Sequence, residues 1–269
     1  MIRFIIAATF LALFCLFSWP LFGIVNIIGK FNPKKKVTVS QNIAVWGFKV
    51  ILKLCGTTMD VKGLENVPKD VPVLYVANHR SYFDIVTCYT LVKNNTGFIA
   101  KKSMEKFPSV NRWMKYINCQ FLDRDDVRQG LKVILKCIDL IKEGTSIFVF
   151  PEGTRSLGNE MLPFKEGSFK IATKTGCPII PIAIKDTEKI FEAHLPNQCI
   201  FAFQKPTSLS QECQSRQTRF LQYLPLKPLV EEEKIYHQQD FQQLRFQHLD
   251  FLLLLFLKDA FQFLECDHT

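Results

Sequence analysis

Val73-Leu74-Tyr75-Val76-Ala77-Asn78-His79-Arg80-Ser81-Tyr82-Phe83-Asp84 passes from one kind of structure to another within twelve residues. Residues 73–77 form a short apolar run rich in β-branched and aromatic side chains, which predicts a buried strand. Ser81 is a good N-cap and Asp84 follows three residues later, which marks a helix start between them. Asn78 to Arg80 are then the loop that joins strand to helix.

The same alternation continues outward. Further strands are expected over 98–101, 118–122, 146–150 and 179–184. The clearest helix runs from Val127 to Lys142, where Val127, Leu131, Ile134, Leu135, Ile138 and Ile141 recur on one face. Asp126 can cap its start and Gly144 can close its end. Strands alternating with helices argue for an α/β sandwich whose functional residues sit on the loops leaving strand ends. Neither G-x-G-x-x-G nor G-x-x-x-x-G-K-[ST] occurs, which weakens a nucleotide-dependent reading.

Upstream, residues 4–29 are apolar and uncharged, flanked by Arg3 on one side and by Lys30, Lys34, Lys35 and Lys36 on the other. As one helix they would reach roughly 39 Å, enough to cross a hydrocarbon core of about 30 Å. The run is longer than the h-region of a cleaved leader. Pro20 is expected to kink or break the helix, leaving a single span or a broken hairpin as the two topologies. Either one places the body on the cytoplasmic side by the positive-inside rule. Residues 41–55 are a second apolar segment, either an interfacial helix or an ordinary core helix.

The 269 residues carry a formal net charge of +9, unevenly spread. Residues 1–192 hold 27 basic and 16 acidic side chains, and 193–269 hold 7 and 9. A basic body favours an anionic partner. The apolar N-terminus and the absence of a recognition motif favour membrane lipid over nucleic acid. Nine scattered cysteines with no C-x-x-C read as reduced, small hydrophobic side chains, and no metal is expected.

Two blocks carry chemistry. A histidine and a carboxylate five residues apart, His79 and Asp84, can act as a base and its orienter if His79 lies on the loop before the helix. The ordinary alternative is a capping box beside a surface histidine. Phe150-Pro151-Glu152-Gly153-Thr154-Arg155-Ser156 closes the strand at 146–150. Its arginine suits bidentate phosphate contact, and Glu152 could accept a substrate hydroxyl or hold Arg155 in place.

NHRSYFD at 78–84, FLDR at 121–124, FPEGTRS at 150–156 and CPIIPIAI at 177–184 resemble the four ordered blocks of the glycerolipid acyltransferase superfamily, nearest to bacterial 1-acylglycerol-3-phosphate acyltransferases. The resemblance covers roughly residues 40–190, and Phe164-Lys165-Glu166-Gly167 also looks like a pattern common there. It implies a central mixed sheet flanked by helices, preceded by the membrane helix or helical hairpin. It also implies acyl transfer from acyl-CoA or acyl-carrier protein, as co-substrate rather than cofactor, to the sn-2 hydroxyl of 1-acylglycerol-3-phosphate. His79 and Asp84 are expected to be catalytic, with Arg124, Glu152, Gly153, Thr154 and Arg155 at the acceptor. Another lysophospholipid, glycerol phosphate or a lipoamino acid is the alternative acceptor, and a catalytically dead membrane adaptor is the alternative role.

The expected organisation is an anchor with its basic flank over 1–36, the acyltransferase domain over 37–192, and an atypical tail over 193–269. The tail has no glycine, one valine and twelve of the fifteen glutamines. It reads as a poorly ordered or frame-altered end, with an amphipathic interfacial helix as the alternative.

Overall fold

The computed structural model describes residues 2–156, 161–192 and 198–203, all within one unit, Met1–Leu224. In chain order these residues form α1 (Ile2–Phe31), α2 (Pro33–Cys55), β1 (Thr58–Lys62), β2 (Leu74–Ala77), α3 (Phe83–Tyr89), β3 (Thr96–Lys101) and α4 (Pro108–Tyr116). There follow β4 (Gln120–Leu122), α5 (Val127–Lys142), β5 (Ser146–Val149), α6 (Lys170–Thr175), β6 (Ile179–Lys185), α7 (Lys189–Glu192) and β7 (Gln198–Phe203). The strands form one seven-stranded sheet in the order β1-β7-β6-β2-β5-β3-β4. All pairs are parallel except β6 with β7, so the sheet is mixed, as expected.

Side chains alternate across the sheet with period two. Tyr75, Ala77, Phe148, Ile180 and Ile182 face one layer, which holds α3, Ala7 of α1, and Ile51 and Leu52 of α2. Leu74, Val76, Ile147, Val149 and Ile179 face the other, filled by α5 and α6. Helices therefore cover both faces, which explains why the central strands are apolar throughout rather than alternating.

The expected N-terminal apolar helix is present, but Pro20 does not break it. Pro20 lies inside α1, which stays helical from Ile2 to Phe31. The break falls instead at Asn32, whose side chain accepts from the Lys35 N–H at 2.9 Å and starts α2 with Pro33 in its first turn. Packing on both sides of Pro20 offsets the lost helical hydrogen bond. Phe22 and Val25 cluster with Trp113 of α4, and the Trp113 Nε1–H donates to Ser18 Oγ at 2.9 Å. At the far end the Tyr116 hydroxyl reaches Asn26 Oδ1 at 2.8 Å. The expected boundary at residue 36 cuts α2, which is one helix that also buries Gln41 against the body. Gln41 receives the Thr96 N–H at 2.8 Å and gives its own amide to the Asn94 carbonyl at 2.9 Å.

Two strands, β1 and β7, were not among those expected. They pair with each other, and β7 lies beyond residue 192, inside the segment assigned to the tail. The rest of that tail, residues 193–197 and 204–269, lies outside the described residues. In α5 the cap at Asp126 forms as expected, accepting from the Gln129 N–H at 3.0 Å. Its buried face, however, is centred on Val133, Cys137 and Ile141, and it leaves Val127, Leu131 and Leu135 exposed.

Candidate functional site

The parallel strands β2, β5 and β3 end at one edge of the sheet, and the two chemical blocks leave from β2 and β5, which are neighbours. Asn78 extends the β2 ladder with its side chain. Its amide donates to the Ile184 carbonyl at 2.9 Å and its oxygen accepts the Ile184 N–H at 2.8 Å. The next residue, His79, is thereby fixed at the strand end, before α3 begins at Phe83.

His79 Nδ1 and Asp84 Oδ2 are 2.8 Å apart. Asp84 is 0% exposed, and the same oxygen accepts from the Arg80 N–H at 2.7 Å and the Ser81 N–H at 2.8 Å. Its other oxygen accepts from the Thr187 hydroxyl. The capping interaction and the histidine contact, posed by the sequence as alternatives, coexist in one carboxylate. A carboxylate oxygen facing Nδ1 accepts from it, which sets Nδ1–H as the donating tautomer and leaves Nε2 as the basic nitrogen. The imidazole also stacks on the Phe150 ring, with centroids 4.2 Å apart, so its plane is set from two directions. Among the described residues its Nε2 edge has no hydrogen-bond partner.

Glu152 sits where the sequence did not place it. It is 2% exposed, and both oxygens are taken by main chain: Oε1 accepts the His79 N–H at 2.6 Å and Oε2 the Leu162 N–H at 2.8 Å. Burial raises its carboxyl above the ordinary range, against the opposing pull of those two N–H donors. In this arrangement both Glu152 oxygens face main chain and tie the two loops together. A third tie between the same loops runs from the Ser156 N–H to the His79 carbonyl at 2.8 Å.

Gly153 has φ +72°, and a Cβ there would collide with the Lys165 side chain, which lies across the turn. The Lys165 N–H anchors this crossing by donating to the Pro151 carbonyl at 2.8 Å. Thr154 is exposed at the tip. Arg155 lies 3.8 Å over the Tyr82 ring and donates to the Tyr82 hydroxyl at 3.1 Å, so Tyr82 brings it beside the start of α3.

Arg124 is not brought into contact with this group. It is exposed after β4, the edge strand, and β5 and β3 intervene between β4 and β2. Of the surrounding acids, Asp123 pairs with Lys102 at 3.0 Å and Asp126 caps α5, while the charge of Asp125 acts on Arg124 itself.

Thr187, Phe150, Tyr82 and Lys165 were missed as site residues by sequence reasoning. Thr187 lies 103 residues from Asp84 and is aimed at it by Asp186 at φ +68°, a relation that no local spacing signals. Cys15, Cys55, Cys88, Cys119, Cys137 and Cys177 are free, and burial pushes the thiols of Cys119 and Cys137 up to about 12, which removes them as nucleophiles.

The acyltransferase family model matches residues 58–185, which run from β1 to the end of β6 and contain every residue of this cluster except Thr187. The chain is 42% identical over 132 residues to a chloroplast 1-acyl-sn-glycerol-3-phosphate acyltransferase of Brassica napus, covering 49% of this chain but 38% of that one. It likewise spans little more than a third of the Arabidopsis thaliana chloroplast relative. The 1-acyl-sn-glycerol-3-phosphate acyltransferase of Salmonella typhimurium is 30% identical over 190 residues, covering 69% of this chain and 72% of that one. The crystal structure of the 1-acyl-sn-glycerophosphate acyltransferase PlsC from Thermotoga maritima superposes with a TM-score of 0.67 at 26% identity, covering 88% of this chain and all of that one. Sheet, strand-end cluster and relatives agree: the chain belongs to the 1-acylglycerol-3-phosphate acyltransferase family of the glycerolipid acyltransferase superfamily.

Proposed function

We propose that this protein transfers a fatty acyl group from an acyl thioester, carried by CoA or by acyl-carrier protein, to the sn-2 hydroxyl of 1-acylglycerol-3-phosphate, giving phosphatidic acid. The observation that carries the reading is the His79–Asp84 pair, 2.8 Å apart at a strand end, with the carboxylate fully buried. His79 Nε2 takes the hydroxyl proton as the oxygen attacks the thioester carbonyl. The C–S bond then breaks, and the imidazolium returns that proton to the departing thiolate. Asp84 holds the tautomer and stabilises the imidazolium, while Glu152 places the His79 main chain. The thioester is already activated, so these steps use protein groups alone, and holding both substrates in line supplies much of the rate.

Arg155, held on Tyr82 beside the catalytic pair, is the phosphate contact for the acceptor, with Gly153 and Thr154 shaping the turn. Arg124, farther along the sheet edge, contributes a positive field rather than a shared contact. The acceptor arrives from a membrane. Ile6, Leu13, Phe17, Ile24 and Phe31 form one exposed row along α1, opposite Ala7, Cys15, Ser18, Phe22 and Val25, which face the body. Because α1 is packed along its length against α2 and α4, an in-plane seat in the cytoplasmic leaflet explains this row better than a span does.

The test is acyl transfer to labelled lysophosphatidate in purified membranes. His79→Ala and Asp84→Ala are each expected to lose at least about a hundredfold in kcat, the usual scale of general-base catalysis, with membrane association unchanged. Near-normal turnover in either variant would sink the mechanism.

A further inference from the structure

We propose that the outer face of α5 is the docking surface for an acidic, soluble carrier protein that presents the acyl group as a thioester; this rests on the acyltransferase reading of the site. The large apolar side chains left exposed among the described residues fall mainly in two places, the α1–α2 hairpin and α5. On α5, Val127 is 86% exposed, Leu131 56% and Leu135 52%, one row at a spacing of four. Arg128, Lys132 and Lys136, all exposed, follow each by one residue. That offset sets a basic row about 100° around the helix from the apolar one. No carboxylate interrupts residues 127–138. Such a face complements a partner surface that sets carboxylates beside apolar side chains.

A basic, apolar helix face also suits an anionic bilayer, but its position argues for a protein. α5 packs on the layer formed by Leu74, Val76, Ile147 and Val149, whereas α1 and α2 pack on the opposite face of the sheet. A bilayer seated on the apolar row of α1 therefore lies across the sheet from α5, which is turned to solvent. The helix also begins at the correct end of the molecule. β4 ends at Leu122 and Asp126 caps α5, at the same sheet edge where His79 follows β2. α5 packs over β5, the direct neighbour of β2. A thioester on a flexible arm, docked at the first turns of α5, enters the cleft over the end of β5, and the lysophospholipid enters from the membrane side.

The experiment compares two donors bearing the same acyl chain, acyl-carrier protein and acyl-CoA, with the full-length protein in lipid vesicles. Lys132→Glu/Lys136→Glu and, separately, Leu131→Gln alter exposed positions only, and surface changes of this kind rarely disturb folding. Each is expected to lower kcat/KM for the carrier-protein donor at least about tenfold while leaving acyl-CoA within about twofold. Added salt should weaken the carrier-protein route of the wild type more than the CoA route. Equal loss with both donors, no loss with either, or a wild type that cannot use the carrier-protein donor overturns the proposal. Reduced vesicle binding in the double variant overturns it in favour of a lipid surface. A wild type that turns over neither donor sinks the acyltransferase reading, and the docking face with it.

Discussion

At the scale of single residues, two buried carboxylates divide the work of the site. Asp84 touches the imidazole directly, and the Thr187 hydroxyl fills its remaining oxygen. Glu152 never reaches the ring; it acts through the backbone of His79 and through Leu162. Glu152→Gln replaces one accepting oxygen by an NH₂ that faces an N–H donor, so one tie is lost and the strand-end loops separate slightly. A misplacement near 1 Å can cost on the order of a hundredfold, so kcat should fall toward that scale while the KM for lysophosphatidate stays within about twofold. Arg155→Ala should show the opposite split, with KM rising and kcat nearly kept. If Glu152→Gln raised KM as Arg155→Ala does, the carboxylate would belong to the acceptor site after all. His79 and Asp84 were legible in the sequence because five residues span one strand-to-helix turn. The role of Glu152 was not, because its partners are main-chain groups at residues 79 and 162, which no side-chain pattern records.

At the scale of elements, the misreadings share one cause: periodicity reports that a face is apolar but not what covers it. Of the six apolar residues assigned to one face of α5, Ile138 and Ile141 are buried and Ile134 packs beside them, while Val127, Leu131 and Leu135 stay exposed. Likewise, the intrinsic cost of Pro20, about 3 kcal/mol, was read as a kink or break because the packing that offsets it comes from α4, some ninety residues away. That packing has a polar pin. Ser18 Oγ accepts from Trp113 Nε1–H, with both residues buried, and itself donates to the Phe14 carbonyl at 2.6 Å. Ser18→Ala leaves the indole N–H buried without its acceptor and should lower unfolding stability by about 1–3 kcal/mol, read from denaturant midpoints. A shift within experimental error would mean that α1 is held by apolar contact alone. The strand-to-helix alternation itself was legible, since it depends on local turn and cap chemistry that each segment carries within it.

At the scale of the whole molecule, the sequence drew a boundary at residue 192 from composition, and the sheet does not respect it. β7 joins β6 on one side and β1 on the other, so β1 is attached to the sheet through β7. Since α2 leads directly into β1, residues 198–203 link the N-terminal hairpin to the strands that carry the site. The turn after β1 closes on the same strand: the Asn66 amide donates to the Phe203 carbonyl at 3.1 Å, and Gly63 at φ +75° leaves no Cβ to obstruct that approach. Phe201 is 0% exposed and shares a core with Phe148 and Ile180. Composition missed this because glutamine-rich surroundings dilute a six-residue strand, one of whose two partners, β1, lies more than a hundred residues upstream. If β7 is part of the folded body, Phe201→Ala should cost about 3–5 kcal/mol, the same scale as a core phenylalanine such as Phe148→Ala. That loss is a large share of the 5–15 kcal/mol typical of a domain, and it should appear in urea midpoints as well as in reduced acyl transfer. A cost below about 1 kcal/mol would detach β7 from the core and restore the boundary at 192, since surface changes rarely exceed that range.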